Sequence, residues 1–266
     1  VDSNNNLIEN QDTPSHFCVL PLVGSEKHIM PIYLNSPDFE PDSERESLIL
    51  IGEDILADKD VISEGGINRL ILKESIPLYD SLVAYLSNNG YHKLFLLAKG
   101  LRKLPKIEKN FNKKWFEEEI IKSYRDILKE YYVVETEVGN QKLFTEDNES
   151  NIIIPKDSNI DNQCKIYDLS RELFSEKLPL PEIANDWAKL AWDKCGLFKI
   201  EDLCEYVSKK ECIGNLPISS NKYEWLNNFL SFIKEQNESL LKEYALIPNR
   251  NADFVSLDEA DFAEGV

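Results

Sequence analysis

The sequence predicts an α+β fold, with a small β-sheet and its helices in the N-terminal part and a mostly helical C-terminal part that carries inserted β-hairpins. Three observations favour this class: short strand-like apolar runs near the N-terminus, long stretches of helical apolar spacing, and turn residues between later apolar runs. With 266 residues, 42% of them hydrophobic, the chain can form one large or two ordinary domains. We predict a flexible leader over 1–13, an α/β domain over 14–111 and a mostly helical domain over 112–266.

The first two apolar runs predict strands. HFCVLPL begins at His16 and HIMPIYLNS begins at His28, and the intervening VGSEK suits a hairpin loop because it contains glycine and polar residues. A loop rich in carboxylates follows and contains one arginine, Arg45. Its acids are Asp38, Glu40, Asp42, Glu44 and Glu46. One interpretation of Arg45 is that it neutralises these carboxylates.

A helical region is predicted from about Ile62 to the stop signal at Gly90. Pro77 lies inside this region and should kink or split the helix, since proline removes a backbone donor. The apolar residues at helical spacing are Ile67, Leu70, Ile71, Leu78, Leu82 and Leu86. Residues 94–97 continue the apolar pattern and predict a further helix.

The second half alternates helices with short strands. Asn112 is placed to cap a helix whose apolar stripe includes Phe116, Ile120 and Tyr124. A hairpin turning at Gly139–Asn140 follows, and then a short strand, NIIIPK. Pro181 marks another helix start, and helices near 200–209 and 221–243 complete the chain. The last helix should bury Trp225, Phe229, Phe232 and Ile233.

An internal similarity links 127–144 with 240–257. Both segments run from a helix end, through a shared Lys-Glu-Tyr, into a strand, a polar turn and a second strand. The first copy continues to NIIIPK, whereas the second stops soon afterwards, so we expect the C-terminal copy to lack its closing strand. The chain also begins without methionine. These features predict a piece of a longer protein, truncated at its C-terminus, although two unrelated helix–hairpin junctions remain an alternative.

Charge and cysteine content exclude several classes of protein. The net charge of -18 repels a phosphate backbone, which makes nucleic acid an unlikely partner. No apolar run is long enough to span a bilayer, and the polar N-terminus lacks the features of a signal peptide. The five cysteines contain no C-x-x-C pair and lie far in sequence from the three histidines, so we expect no metal site. Free thiols suit a cytoplasmic protein.

One stretch, 99–114, is basic in this acidic chain. It holds seven basic residues against a single acid, Glu108. The stretch is either a solvated face that complements acidic neighbours or a docking patch for an acidic partner. The basic residues are Lys99, Arg102, Lys103, Lys106, Lys109, Lys113 and Lys114.

The chain lacks the common catalytic motifs. It has no G-x-x-x-x-G-K-[ST] loop, no D-x-G-x-G turn with a glycine-rich lid, no G-x-S-x-G and no H-E-x-x-H. Carboxylate pairs are numerous, but none stands out as a general acid and base. We therefore predict that the isolated chain has no enzymatic activity and binds no cofactor.

The segment 16–50 resembles the sacsin-like proteins, which contain an ATPase of the ninety-kilodalton heat-shock chaperone type. After their nucleotide-binding domain, these proteins carry F-C-x-L-P-L, a short loop, L-P-V-H-[IV]-N-G-x-F and a turn ending N-R-R-x-L. The matching residues here are Phe17, Cys18, Leu20, Pro21, Leu22, Pro31, Ile32, Leu34, Asn35, Phe39, Arg45 and Leu48. The second arginine is replaced by Glu46 and the preceding asparagine by Glu44. ALIPNRNADFVSLDE near the C-terminus is similar to another recurring element of the family.

The resemblance implies a transducer-like domain over 14–111 within the middle, coupling region of a GHKL-type ATPase. Such a region lacks the nucleotide cradle and transmits the ATP state to a partner or client protein. ATP and magnesium would be bound by the upstream ATPase domain of the parent protein, and Arg45 would contact the γ-phosphate. The main alternative is a standalone protein-interaction scaffold that is not coupled to an ATPase, and a third hypothesis is an enzyme with an unrecognised site.

Overall fold

The computed structural model describes residues 1–9, 13–27, 30–56, 61–104, 109–192 and 195–260. The chain divides into two compact units. The first comprises Val1–Glu135, Gly139–Asn151 and Lys189–Cys195, and the second comprises Thr136–Val138, Ile152–Ala188 and Gly196–Val266. Helices dominate the secondary structure, and the strands form small separate sheets. The α+β class predicted from the sequence is confirmed.

The first unit combines short strands with one long helix and a helical segment that contains a π-helical turn. The strands are β1 (His16–Cys18), β2 (Leu20–Pro21), β3 (Leu34–Asn35), β4 (Ile55–Leu56), β5 (Val61–Ile62), β6 (Tyr132–Thr136, whose last residue belongs to the second unit) and β7 (Gly139–Lys142). The helices and helical turns are the 3₁₀ turn Ser25–Lys27, α1 (Glu64–Asn88), the 3₁₀ turn Leu94–Ala98, α2 (Lys113–Trp115), the π-turn Phe116–Ile121 and α3 (Lys122–Glu130).

The N-terminal sheet is not the hairpin expected from the sequence. Its order is β2–β1–β3, with β1 antiparallel to β2 and parallel to β3. The first apolar run folds back on itself at Val19, whose φ of 65° produces a tight reversal between Cys18 and Leu20. The second run then joins the other edge of β1 through the pair Phe17–Asn35. The prediction of a hairpin between the two runs was therefore wrong.

Helix α1 continues through Pro77, so the proline does not split the helix. The side chain of Ser63 caps its N-terminus, and Gly90, at φ 69°, follows its C-terminal cap as expected. Of the predicted apolar stripe only Leu86 is buried. The buried face instead carries Leu72, Ser75, Tyr79, Val83 and Leu86.

The core of the first unit forms where α1 meets the π-turn and α3. The rings of Tyr79 and Tyr124 stack 4.3 Å apart, and both side chains are fully buried. Their hydroxyls are satisfied, because Tyr79 donates to the Leu97 carbonyl and Tyr124 shares a 2.6 Å hydrogen bond with Ser75. Burial raises the pKa of Tyr124 to about 12. The capping role of Asn112 and the apolar stripe of this helical segment are confirmed.

Two consecutive polar residues of α1, Asn68 and Arg69, bind the irregular segment 40–54, and we call them the clasp. Asn68 accepts from the Glu40 amide and donates to the carbonyls of Glu40 and Ile49. Arg69 donates to the carbonyls of Leu50 and Gly52 and forms a 2.7 Å ion pair with Asp54. Both clasp side chains are buried.

The division into units differs from the boundaries predicted at 13 and 111. The segment 113–135 belongs to the first unit because the π-turn and α3 pack on α1. Residues 1–9 also belong to it: Leu7 donates its amide to the His92 carbonyl, and His92 donates its amide to Asn5.

The second unit is mostly helical. Its elements are β8 (Ile154–Pro155), α4 (Ile160–Phe174), the 3₁₀ turn Ser175–Lys177, α5 (Pro181–Leu190, whose last turn enters the first unit), β9 (Leu197–Phe198), α6 (Ile200–Ser208), the 3₁₀ turn Ile213–Asn215, α7 (Lys222–Asn237), α8 (Leu240–Glu243), β10 (Ile247–Pro248) and β11 (Phe254–Val255). The rings of Trp225 and Phe229 stack 5.1 Å apart within its core, and the buried stripe predicted for this helix is confirmed. The single helix expected over 221–243 is divided into α7 and α8.

Both copies of the internal similarity form a helix followed by a two-stranded hairpin, and the second hairpin is antiparallel. The first hairpin turns at Glu137–Val138, two residues before the predicted position. NIIIPK does not close this hairpin, because β8 pairs in parallel with β9. In the second hairpin, Asp253 forms an antiparallel β-bridge with Cys212, and the Phe254 amide donates a hydrogen bond to the Glu211 carbonyl. The prediction that NIIIPK supplies the closing strand of the first hairpin was therefore wrong.

Candidate functional site

The acidic loop, residues 41–48, is a closed turn organised by Asp42. An antiparallel bridge between Pro41 and Leu48 joins its two ends. The Asp42 carboxylate accepts hydrogen bonds from the Glu46 amide and the Ser47 hydroxyl, each 2.9 Å long. Burial opposes ionisation of Asp42, but these hydrogen bonds outweigh it and lower the pKa of the carboxyl below its ordinary value. The loop therefore has a defined shape at neutral pH.

Arg45 lies at the tip of this loop with its side chain exposed. Its backbone adopts a left-handed conformation with φ 55°, and its amide donates to the Asp42 carbonyl. The guanidinium donates one hydrogen bond, 3.3 Å long, to the Cys18 carbonyl. Within the described part of the chain no ion pair joins Arg45 to a carboxylate, and Glu44 lies 3.7 Å from Lys109 instead. The geometry does not favour a role for Arg45 as the neutralising partner of the acidic loop.

Three residues singled out by the family-like motif, Cys18, Phe39 and Arg45, are connected by hydrogen bonds. The Cys18 thiol donates to the Phe39 carbonyl, and the Asn35 side chain accepts from the Val19 amide. Three residues of the motif are buried in the core: Leu22, Phe39 and Leu48. Phe17 and Pro31 are half-buried, whereas Leu20, Pro21 and Asn35 are exposed. The motif therefore includes both buried residues of the core and exposed residues of the surface.

The backbone of Gly24 packs closely against Glu46 of the acidic loop. A Cβ atom at this position would lie 2.8 Å from the Glu46 carbonyl oxygen and 2.9 Å from the Glu46 Cβ. Gly24 also has φ +120°, a conformation that side chains disfavour. Only glycine lets the loop approach this closely.

Exposed apolar side chains flank the arginine. Val19, Leu20 and Val23 are 72%, 66% and 69% exposed. Val19 also has a positive φ, which is unusual for a β-branched residue and marks local strain. We call the acidic loop together with this apolar tip the Arg45 surface. In the described part of the chain it presents a cation whose guanidinium makes a single hydrogen bond, beside exposed apolar side chains.

Sequence reasoning identified Arg45 but missed Val19, Gly24 and Asp42. No sequence signal marks Val19 or Gly24, because their importance comes from positive φ and close backbone approach. Asp42 carries a weak signal, since aspartate in a turn commonly accepts from nearby amides. The Ser15 hydroxyl lies 3.1 Å from Nδ1 of the adjacent His16 and donates to the Ser25 carbonyl, and both side chains are buried.

The basic stretch is partly neutralised by neighbouring groups. Lys99 pairs with Glu9 at 2.8 Å, and the Arg102 guanidinium donates to the Lys189 carbonyl. Lys109 lies near Glu44, and Lys106 lies outside the described residues. The exposed basic residues are Lys103, Lys109, Lys113 and Lys114.

Cys18, Cys164, Cys204 and Cys212 are free thiols, and burial raises the pKa of Cys204 to about 12. Among the described residues no group of three or more His, Cys, Asp and Glu side chains is arranged to hold a metal ion. In the same residues no helix is long and apolar enough to cross a membrane. Comparisons of the chain with protein-family models, with curated proteins and with solved structures give no match.

The close approach at Gly24 generates a testable prediction. Gly24→Ala should lower the free energy of unfolding by about 1–3 kcal/mol, because the new methyl group collides with Glu46 in a strained backbone conformation. It should also shift the amide resonances of residues 42–47. The matched control is Gly139→Ala, because Gly139 has φ +106° but open space around it. Equal effects of the two substitutions on stability and on the loop resonances would contradict the close approach.

Proposed function

We propose that this chain is the coupling region of a chaperone-type ATPase similar to the sacsin-like proteins, and that it transmits the nucleotide state of an ATPase domain to the binding of a protein client. The observation that carries the proposal is the position of Arg45: an exposed cation without a carboxylate partner, hydrogen-bonded to Cys18 where the separate motif segments meet. The proposed setting is the cytoplasm, which suits the free thiols.

The chemistry proposed for Arg45 is electrostatic. A guanidinium presents a planar fork of donors that matches phosphate oxygens, and it offsets charge that develops on a transferring phosphoryl group. Asp42 would keep the loop in shape, while Gly24 and the Cys18 carbonyl would fix the direction of the arginine. A loop ordered in advance reduces the entropy lost on binding.

The chain does not supply a nucleotide site by itself. Around Arg45 the acidic loop offers several carboxylates, one of them paired with Lys109, and among the described residues no glycine-rich backbone cradle surrounds the arginine. In the proposal, the ATPase domain binds ATP and magnesium, and Arg45 reaches the γ-phosphate only when that domain docks on the Arg45 surface.

A second candidate function is a standalone protein-interaction scaffold without ATPase coupling. The observation that favours it is the exposure of Lys103, Lys113 and Lys114 on the first unit, for which no ion pair is found among the described residues. These lysines suit an acidic protein partner. The two candidates differ in whether substitution of Arg45 changes ATP turnover.

Calorimetric titration of the isolated chain with ATP and magnesium should give no saturable heat, because the chain lacks a phosphate cradle. Saturable binding with a Kd in the micromolar range, about 8 kcal/mol of binding free energy, would contradict the assignment of the nucleotide site to another domain.

Arg45→Ala in the native full-length protein should lower kcat for ATP hydrolysis by about tenfold or more, because a positioned arginine contributes to transition-state stabilisation. The unfolding temperature should barely move, since the side chain is exposed and makes a single hydrogen bond. Arg45→Lys should recover part of the activity, because lysine keeps the charge but loses the planar fork.

The matched control for this substitution is Arg250→Ala. Arg250 is another exposed turn arginine, but it lies in the second unit. It should leave turnover unchanged. Wild-type turnover in Arg45→Ala, or a native full-length protein without ATPase activity, would contradict the coupling function and favour the scaffold.

A further inference from the structure

Helix α1 carries a second apolar stripe that the core of the first unit does not use. Ile67, Ile71, Leu78, Leu82 and Tyr85 recur at intervals of three, four or seven residues. Because successive helical residues are about 100° apart, all five lie within about 40° of the line through Leu78. We call these five residues the outer stripe.

The outer stripe is accessible along most of its length. Leu78, Leu82 and Tyr85 are 66%, 38% and 55% exposed, whereas Ile67 and Ile71 are half-buried. The buried face of α1 lies about 100° around the helix, where Tyr79 and Val83 pack in the core. The stripe is therefore not an edge of the core, and its exposure is costly unless another molecule covers it.

The dimensions of the stripe suit a helix. From Ile67 to Tyr85 the axis rises about 27 Å, which equals five helical turns. Leu70, 51% exposed, widens the apolar surface at its N-terminal end. A ridge of this length with helical spacing is the surface against which a partner helix packs.

The charged residues of α1 that lie beside the outer stripe are acidic, and they lie only in the N-terminal half of the helix. Glu64 and Glu74 lie on the same side of α1, and within the described part of the chain neither has an ion pair or a side-chain hydrogen bond. The cations of α1 are occupied elsewhere: Lys73 pairs with Glu119 at 2.8 Å, and Arg69 is buried against Asp54. The half that contains Leu78, Leu82 and Tyr85 carries no charge on this side.

We propose that the outer stripe docks an amphipathic helix of a partner protein. That helix has about five turns, apolar residues at spacings of three and four, and lysine or arginine in the half that lies over Glu64 and Glu74. A second copy of α1 fits less well. In a parallel pair the glutamates face each other, and in an antiparallel pair they face the uncharged half. This inference does not depend on the role of Arg45.

The probe is a synthetic 21-residue helix with leucine at helical spacing and lysine in one half only. Fluorescence anisotropy should show binding to the native chain with a Kd of about 1–100 µM. Leu78→Gln combined with Leu82→Gln should weaken binding about tenfold or more, and glutamine keeps good helix propensity. Glu74→Gln should weaken binding at low salt and reduce its salt dependence.

The matched control is Ile160→Gln, which replaces another exposed aliphatic side chain on a helix of the second unit and should leave affinity unchanged. Circular dichroism would confirm that each variant remains folded. Three results would overturn the proposal: no binding of the probe, equal affinity in the double variant, or equal affinity for a probe with glutamate in place of lysine. A native dimer that the double variant dissociates would overturn it in favour of a second copy.

Discussion

The first unit depends on the clasp that Asn68 and Arg69 form with the chain 40–54. This segment has little regular structure, so its backbone groups need partners outside a sheet or helix. Asn68 bonds Glu40 and Ile49, the residues that bracket the acidic loop, and so holds both of its ends on α1. Arg69 holds the chain that continues from the loop. Buried polar groups left without partners cost about 1–3 kcal/mol each, so the clasp keeps the loop on α1.

The closed turn of the acidic loop explains why an arginine among so many acids is left without a carboxylate partner in the described part of the chain. The carboxylate of Asp42 accepts hydrogen bonds from the Glu46 amide and the Ser47 hydroxyl of its own loop, and the carboxylate of Glu44 lies near the Lys109 ammonium group. Proximity in sequence suggested that Arg45 neutralises its neighbours, but the closed turn directs the guanidinium to the Cys18 carbonyl. The local fold converts an acidic stretch into a site that presents one cation.

Sequence patterns predicted the parts of the fold that depend on local periodicity. The α+β class, the Asn112 cap and the stripe of Trp225 and Phe229 followed from residue spacing. The α1 pattern was ambiguous because this helix has two apolar faces, and the spacing of apolar residues alone does not tell which face packs into the core. Strand pairing was harder still, since the parallel pairing of β1 with β3 depends on contacts between residues far apart in sequence. At the candidate site, Arg45 was visible as an isolated cation, but the close approach at Gly24 exists only in three dimensions.

Amide hydrogen exchange of Asn68→Ala tests most directly whether the clasp orders the Arg45 surface. The exchange rates of the Arg45 and Glu46 amides should rise about tenfold or more, while the β6 amides keep their native protection. Asn88→Ala is the matched control, because the Asn88 side chain donates to the Ala84 carbonyl of its own helix. Unchanged exchange at Arg45 and Glu46 in Asn68→Ala would contradict the account.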